Sequence, residues 1–263
     1  MNPVLFFHLL ACGESKTDSA APSAEPATEP SNEVSIEDTS EPLETFTISG
    51  NVVWGDDTPA AGAKIQVCAD LCRRADVAAD GTWSLSGLTA EVYIVLGFQQ
   101  GDGSIATTSS LIDITADRNI GTMTLSPYAT QEPLVSGMHD YSLDDGLVLS
   151  FDSSALVPGL YSIGTTENIS SLGIDPSKVP SDIDASNVVA LWMLGDFDHH
   201  VEGGIAWHID SNLGLAEGSS VTLKYLDNEA HAWVELGSFS VSNGVIEGNG
   251  ALPLLSSLMV VQN

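Results

Sequence analysis

Basic residues are scarce in this chain: seven Lys and Arg stand against 36 Asp and Glu, which gives a formal net charge of −29. A surface that binds nucleic acid needs clustered Lys and Arg to neutralise phosphates, so this composition excludes a nucleic-acid partner of the usual kind. Long apolar runs are also missing, because none reaches the roughly 18–20 residues that a membrane-spanning helix requires. The sequence motifs of the P-loop, of dinucleotide binding, of G-x-S-x-G hydrolases and of H-E-x-x-H metalloproteases are absent as well. Together these absences favour a non-enzymatic protein that carries no cofactor.

The residues that are abundant favour strands. Val, Ile, Leu, Thr and Ser outweigh Lys, Glu and Ala, and 24 Gly punctuate the chain. A length of 263 residues suggests about two domains. We therefore predict an all-β protein with two tandem antiparallel β-sandwiches.

The first residues predict an export signal. Residues 1–12 contain a short apolar stretch and end in Leu9-Leu10-Ala11-Cys12. This ending resembles the lipobox of bacterial lipoproteins, and the resemblance implies that the signal is removed and that Cys12 is lipidated. The protein would then be held to a membrane of the cell envelope by its N-terminal lipid. Gly13, rather than Asp, follows the cysteine, which resembles lipoproteins sorted to the outer membrane.

Residues 13–44 predict a disordered linker. This segment is rich in Pro, Ser, Ala and Glu and has a net charge of −8. It has too few large apolar residues to offset the entropy of ordering the chain, and its like charges repel one another. We expect an extended acidic tether that holds the folded part away from the membrane.

Apolar residues alternate along several short segments of residues 45–127. The clearest strand has Val92, Ile94, Leu96 and Phe98 on one face, and Asp80-Gly81 predicts a hairpin turn. The segments Ile48-Ser49-Gly50-Asn51-Val52, Pro59-Ala60-Ala61-Gly62-Ala63-Lys64-Ile65 and Ala79-Asp80-Gly81-Thr82-Trp83-Ser84-Leu85 resemble the carboxypeptidase regulatory-like domain. That resemblance implies a transthyretin-like sandwich with an accessory or adhesive role and no chemistry of its own.

Cys68 and Cys72 remain as a pair once Cys12 is assigned to the lipid. In an oxidising envelope they predict a disulfide that closes the turn Ala69-Asp70-Leu71. The alternative is a metal site, for which a lone C-x3-C motif lacks further ligands.

Residues 128–263 predict a second sandwich, with a net charge of −16. Its continuous apolar run, Val188 to Leu194, suits a strand covered on both faces, whereas Asn168 to Ser186 predicts a long loop.

The segments Val221-Thr222-Leu223-Lys224-Tyr225, Trp233-Val234-Glu235-Leu236-Gly237 and Leu255-Ser256-Ser257-Leu258-Met259-Val260-Val261 resemble the ZU-type domain, which is related to the GAIN-type fold. Some relatives of that family cleave themselves beside a histidine. Leu254 or Leu255 stands at that position here, so we predict no autoproteolysis.

The segment from residue 196 to residue 202 is the strongest candidate for a metal site. Asp196, Asp198, His199 and His200 offer two carboxylates and two imidazoles to zinc or another divalent ion, with His208 or His231 as further ligands. The alternative is a polar hairpin loop bracketed by Gly195, Gly203 and Gly204.

Two acidic loops are candidates for calcium binding, residues 140–146 and 175–184. The alternative is a solvated surface whose charge maintains solubility. The five Trp residues fall at strand positions, which favours the core over a sugar-stacking surface.

These patterns predict a non-enzymatic, lipid-anchored envelope protein that presents its sandwiches to a surface partner, either a protein or a glycan. The alternative function is a metal- or carbohydrate-binding accessory module of an envelope system.

Overall fold

The computed structural model describes residues 43–163, 167–178, 185–195, 197–248 and 250–263. The predicted signal, the lipidation site Cys12, nearly all of the predicted linker and the candidate ligand Asp196 lie outside these residues. Residues from 42 onward belong to one compact unit. No helix in the described ranges is long and apolar enough to cross a membrane.

The chain is all-β, as its composition predicts. The first seven strands are β1 (Phe46–Trp54), β2 (Lys64–Cys68), β3 (Cys72–Asp76), β4 (Thr82–Leu88), β5 (Glu91–Phe98), β6 (Thr108–Ile114) and β7 (Arg118–Leu125). The other twelve are β8 (Thr130–Pro133), β9 (Met138–Ser142), β10 (Leu147–Asp152), β11 (Leu156–Ile163), β12 (Asn168–Gly173), β13 (Val188–Leu194), β14 (Phe197–Ile209), β15 (Ser220–Asp227), β16 (Ala232–Ser242), β17 (Val245–Glu247), β18 (Leu252–Leu255) and β19 (Leu258–Gln262). Single turns of 3-10 helix occupy Asp144–Gly146, Ser153–Ala155, Pro176–Lys178 and Ala185–Asn187.

Strands β1–β7, which we call the N-terminal part, form two facing sheets. One has the order β4-β1-β7 and the other the order β3-β2-β5-β6. Alternate residues of β1 point into the core between the two sheets. Ile48 and Val52 are buried there together with Trp83 and Val95. β1 pairs with β7 in parallel, and the other ladders of this part are antiparallel.

The prediction of a hairpin at Asp80-Gly81 is wrong. The tight turn is there, since the Gly81 N–H donates to Ala78 O at 3.0 Å and Gly81 has φ +85°. The flanking strands do not pair with each other, however: β3 pairs with β2, and β4 pairs with β1 in the other sheet. A turn signal fixes the local reversal of the chain and does not fix which strand the chain joins next.

Strands β8–β19, which we call the C-terminal part, form one hydrogen-bonded path with the order β8-β12-β13-β19-β15-β16-β17-β14-β10-β9. β11 and β18 also pair with β14. The path wraps around a core that includes Trp192, Trp207, Leu223 and Phe151, all nearly inaccessible to solvent.

Two predictions for this part have different outcomes. The two-sided burial of Val188–Leu194 is confirmed: Trp192 and Leu194 face the main core, whereas Leu191 and Met193 face a smaller cluster on the opposite side. The long loop predicted for Asn168–Ser186 is wrong at its start, because Asn168–Gly173 form strand β12 between β8 and β13. Ile169, Ser170 and Ser171 are buried there.

The two parts contact each other through an apolar face. Ile94, Leu96 and Phe98 of β5 point away from the N-terminal core and pack with Phe197 and Leu226 of the C-terminal part. Polar contacts continue this face, where the hydroxyls of Ser109 and Ser257 form a hydrogen bond and both approach Met193 Sδ. β5 is therefore buried on both faces.

Candidate functional site

A cleft of about 290 Å³ lies where the β5–β6 connection of the N-terminal part meets strands β8 and β12 of the C-terminal part. It opens to solvent. The lining residues are Phe98, Gln99, Gln100, Gly101, Asp102, Gly103, Ile105, Thr107, Tyr128, Gln131, Asn168, Ser170 and Gly195. Small-molecule sites are typically concave, with an apolar lining and a few placed polar groups, and this lining has that character.

The apolar floor of the cleft is held by backbone contacts. Ile105 forms an isolated β-bridge with Pro127, and the Tyr128 N–H donates to Ser104 O at 2.9 Å. The Tyr128 hydroxyl accepts a hydrogen bond from the Thr107 N–H at 3.4 Å. These contacts fix the aromatic ring of Tyr128 beside the loop and so form the floor from contacts within the protein.

Amide side chains form the rim. Gln131 Nε2 donates to Gly103 O at 3.1 Å and to Ser170 Oγ at 3.3 Å, which ties the β5–β6 loop to strand β12. Both amide hydrogens of Gln131 are then used, and its Oε1 remains an acceptor. Gln99 Oε1 is buried and has no hydrogen-bond partner among the described residues.

Asp102 is the one charged side chain in the lining of the cleft. Its Oδ1 accepts hydrogen bonds from the Ser104 hydroxyl at 2.6 Å and from the Ser104 N–H at 3.0 Å. These bonds favour the ionised form and hold the pKa of Asp102 below its ordinary value of 3.8. The cleft therefore presents a carboxylate at neutral pH and no cation.

The described residues of the lining supply hydroxyls from Ser170 and Thr107 and a carboxylate from Asp102, and no His, Lys or Cys is among them to activate the hydroxyls. This arrangement can bind and orient a polar ligand.

Of the predicted metal ligands, Asp198, His199 and His200 lie within the described residues, and Asp196 lies outside them. Asp198 and His199 are buried, and Asp198 Oδ1 accepts a hydrogen bond from Asn228 Nδ2 at 2.7 Å. His200 Nε2 lies 3.9 Å from the same oxygen. The described residues contain no group of three His, Cys, Asp or Glu side chains placed to hold a metal ion.

The alternative prediction for this segment, a polar hairpin loop, is wrong. Phe197–Ile209 form one continuous strand that pairs with β11 and β18. β11 and β18 pair with His199 and His200 from the two sides, whereas Asp198, just before them, has a left-handed backbone with φ +63°. Gly203 and Gly204, with φ +89° and +80°, fall where the pairing with β18 shifts register.

The disulfide is present. Cys68 and Cys72 are joined across the β2–β3 turn, with their Cα atoms 4.0 Å apart. The turn projects Leu71, whose side chain is among the most exposed of the large apolar residues.

Parts of the two acidic loops proposed for calcium line a second cavity, and residues 179–184 of the second loop lie outside the described residues. Asp145, Asp175 and Asp210 are in its lining. Burial and the neighbouring charge of Asp144 raise the pKa of Asp145. Carboxylates of this kind fit a solvated acidic surface as well as they fit a cation site.

The sequence did not point to Tyr128 as a residue of the cleft, because only Trp residues were considered as stacking candidates. Trp83, Trp192 and Trp207 are buried in the two cores, and Trp54 and Trp233 pack against apolar clusters. Tyr128 has no local motif that marks it. It reaches the cleft because the bridge between Ile105 and Pro127 brings two distant segments together.

Comparisons with known proteins give no family for this chain. No family model matches, and no curated protein matches. Among solved structures, a DUF3823 family protein from Parabacteroides merdae is 14% identical, with 84% of this chain and 98% of that chain covered and a TM-score of 0.26. A DUF3823 family protein from Bacteroides ovatus is 10% identical, with coverages of 84% and 92% and a TM-score of 0.26. The major pilin SpaD from Corynebacterium diphtheriae is 8% identical, with coverages of 82% and 81% and a TM-score of 0.28. These likenesses are too weak to assign a fold family or a function.

Proposed function

We propose that this protein is a non-enzymatic, lipid-anchored module of the bacterial cell envelope that binds a small polar ligand in the cleft between its two parts. The observation that carries the proposal is the cleft itself, which has an apolar floor, an amide rim and no catalytic pair. Its walls are tied by hydrogen bonds of Gln131 and Tyr128 within the protein. A preformed site of this kind loses less conformational entropy on binding than a mobile one.

The anchor and the compartment are parts of the same proposal. The lipobox-like ending at Cys12 and the acidic segment that follows it support an N-terminal lipid and a tether. The disulfide between Cys68 and Cys72 supports an oxidising compartment outside the cytosol. The outer membrane is the location that Gly13 favours.

The sandwich identities also belong to the proposal. We assign residues 45–127 to a carboxypeptidase regulatory-like sandwich and residues 128–263 to a ZU-type-like sandwich. The order β4-β1-β7 facing β3-β2-β5-β6 supports the first assignment, and the wrapped path around Trp192 and Trp207 supports the second.

Two measurements test the proposal. Radiolabelled palmitate should label the wild-type protein in a bacterial host and leave the Cys12→Ser variant unlabelled. Label on neither protein would refute the proposed lipid anchor.

Saturation-transfer NMR of the full-length Cys12→Ser protein, against mixtures of monosaccharides, amino acids and nucleosides, tests the cleft. We expect binding from one class that weakens in Gln131→Ala and persists in Gln262→Ala, an amide change outside the cleft. No binding at millimolar ligand would refute the binding function.

Metal binding is the second candidate, and the geometry does not favour it. Asn228 already donates to the Asp198 oxygen that lies nearest His200. We therefore place the function at the cleft and not on strand β14.

A further inference from the structure

The lining of the cleft specifies a class of ligand. We infer that the cleft binds one uncharged pyranose unit of a glycan and discriminates against acidic sugars, an inference that rests on the function proposed above. The inference follows from the shape of the floor, the chemistry of the rim and the sign of the surrounding charge.

The floor offers an apolar surface that suits one face of a sugar ring. Tyr128 and Ile105 are both partly exposed, and Phe98 completes the floor from a more buried position. A pyranose presents C–H groups on its ring face and hydroxyls around its edge. An aromatic side chain packs on such a face through apolar contact while its polar tip stays hydrogen-bonded, as the Tyr128 hydroxyl is to Thr107.

The rim offers groups that match hydroxyls. Gln99, Gln100 and Asn168 supply side-chain amides that can donate and accept hydrogen bonds as a hydroxyl does, and Gln131 supplies its Oε1 as an acceptor. Gln99 Oε1 is a buried acceptor without a partner among the described residues. A buried polar atom in that state carries an unrecovered desolvation penalty, and a ligand hydroxyl removes the penalty once the Gln99 amide turns toward the cleft.

Charge separates sugars from other polar ligands and neutral sugars from acidic ones. The described residues that line the cleft include no Lys, Arg or His, and Asp102 stays ionised at its rim. A uronate, a sulfated sugar or a phosphate would bring a second negative charge to a site without a cation. Amino acids and nucleotides also need a counterion for a carboxylate or a phosphate.

The size of the cleft limits the contact to a single ring. A volume of about 290 Å³ lies at the lower end of small-molecule sites. Because the cleft opens to solvent, a longer glycan can continue out of it.

The test is titration calorimetry with the full-length Cys12→Ser protein. The probes are methyl glycosides of glucose, galactose, mannose and N-acetylglucosamine, with glucuronate and galacturonate as matched acidic sugars. We expect at least one neutral glycoside to bind, and its uronate to bind at least about tenfold more weakly, since tenfold corresponds to the loss of one favourable contact of ordinary strength. Equal or tighter binding of the uronate would overturn the inference.

Variants locate the binding. Tyr128→Ala should weaken the glycoside by about tenfold or more, whereas Tyr128→Phe keeps the ring and should stay within about twofold. Gln99→Leu removes the unpartnered oxygen, so it should weaken binding while leaving the thermal midpoint equal or higher. This second variant keeps the test open if Tyr128→Ala does not fold. Glycoside binding that none of these changes affects would also overturn the inference.

The outcomes separate this inference from the proposed function. If amino acids or nucleosides bind in the cleft and sugars do not, the binding function stands and the sugar assignment falls. If no class binds, both fall.

Discussion

The N-terminal and C-terminal parts reach the same all-β state by different routes. In the N-terminal part each strand pairs with one or two others, and a disulfide closes the β2–β3 turn. In the C-terminal part a single strand, β14, pairs with β10, β11, β17 and β18, which lie far apart in sequence. The comparison teaches that local patterns determine a fold only as far as strand pairing stays local. Where the pairing is long-range, the partner strands determine the fold.

Strand β5 connects the two parts and gives the prediction with the largest effect. Val95 faces the N-terminal core and Leu96 faces the C-terminal part, and both are fully buried. Leu96→Ala should lower the free energy of unfolding by about 2–5 kcal/mol, because it leaves a cavity in the shared face. Val95→Ala, the matched change on the other face, should cost about 1–3 kcal/mol. Denaturant unfolding measures both.

The two variants also differ in which part they affect. If the shared face couples the parts, hydrogen exchange in Leu96→Ala should show β1 and β13 opening with separate free energies, whereas in Val95→Ala they open together. Identical exchange patterns in the two variants would show that the face contributes packing without coupling.

The same strand shows what could be predicted from the sequence. Alternation of Val92, Ile94, Leu96 and Phe98 correctly indicated a strand, but it suggested a single buried face. Tyr93 and Val95 fill the positions between, and both are buried too. An unbroken apolar run is the signature of a strand covered on both sides, and it was used correctly for Val188–Leu194. What covers the second face could not be predicted, because it lies more than 100 residues away, at Phe197 and Leu226.

The candidate site was less predictable than the fold. Asp198, His199 and His200 drew attention because ligand-type side chains cluster in sequence. In the structure Asp198 and His199 are both buried within the paired strand, Asp198 has a left-handed backbone, and His200 is only half-buried. The cleft residues Gln99, Tyr128 and Gln131 come from segments that meet only through tertiary contacts. No spacing rule connects them. The disulfide was predictable because its two cysteines are four residues apart across one turn.

The disulfide gives the second prediction. Replacing both Cys68 and Cys72 by Ala should lower the free energy of unfolding by about 2 kcal/mol or less, since closing so short a loop removes little entropy from the unfolded chain. Thermal unfolding of the oxidised protein, the reduced protein and the double variant measures this effect. The oxidised wild type should be the most stable of the three. A loss as large as that of Leu96→Ala would mean that the turn supports the shared face through Cys68, which belongs to the same cluster.

Asp145 gives a smaller effect of opposite sign. Burial and the charge of Asp144 raise its pKa above 3.8, so the folded protein is destabilised once Asp145 ionises, and this destabilisation disappears as the pH falls through the raised pKa. Asp145→Asn should therefore stabilise the protein at neutral pH, by no more than about 0.5 kcal/mol because the group is largely exposed. Asn tolerates the left-handed backbone at this position, where φ is +54°. The gain in stability should vanish in acid. Asp140→Asn serves as the control, because it removes a neighbouring charge at a residue without that backbone geometry.

The smallest effect tests whether one local motif behaves alike in both parts. In this motif an Asp carboxylate accepts hydrogen bonds from the hydroxyl and the N–H of the residue two positions later. The motif occurs at Asp56, Asp80 and Asp102 in the N-terminal part and at Asp152 and Asp175 in the C-terminal part. These bonds lower all five pKa values below 3.8. The stabilisation is present above the unfolded pKa and is lost as the pH falls through the folded one.

Carboxyl chemical shifts followed by NMR from pH 6 to pH 2 should show these five residues titrating below 3.8 and Asp145 above it. The hydroxyl is the first cause of the shift at Asp56, so Thr58→Ala should return the pKa of that residue toward 3.8, and Thr82→Ala should do the same for Asp80. If the two parts gave different directions, long-range charge would outweigh the local bonds. That result would be most informative in the C-terminal part, whose net charge of −16 exceeds the −5 of residues 45–127. Uniform lowering would instead show that two hydrogen bonds at the turn outweigh the field of the whole acidic chain, the same balance that keeps Asp102 ionised at the rim of the cleft.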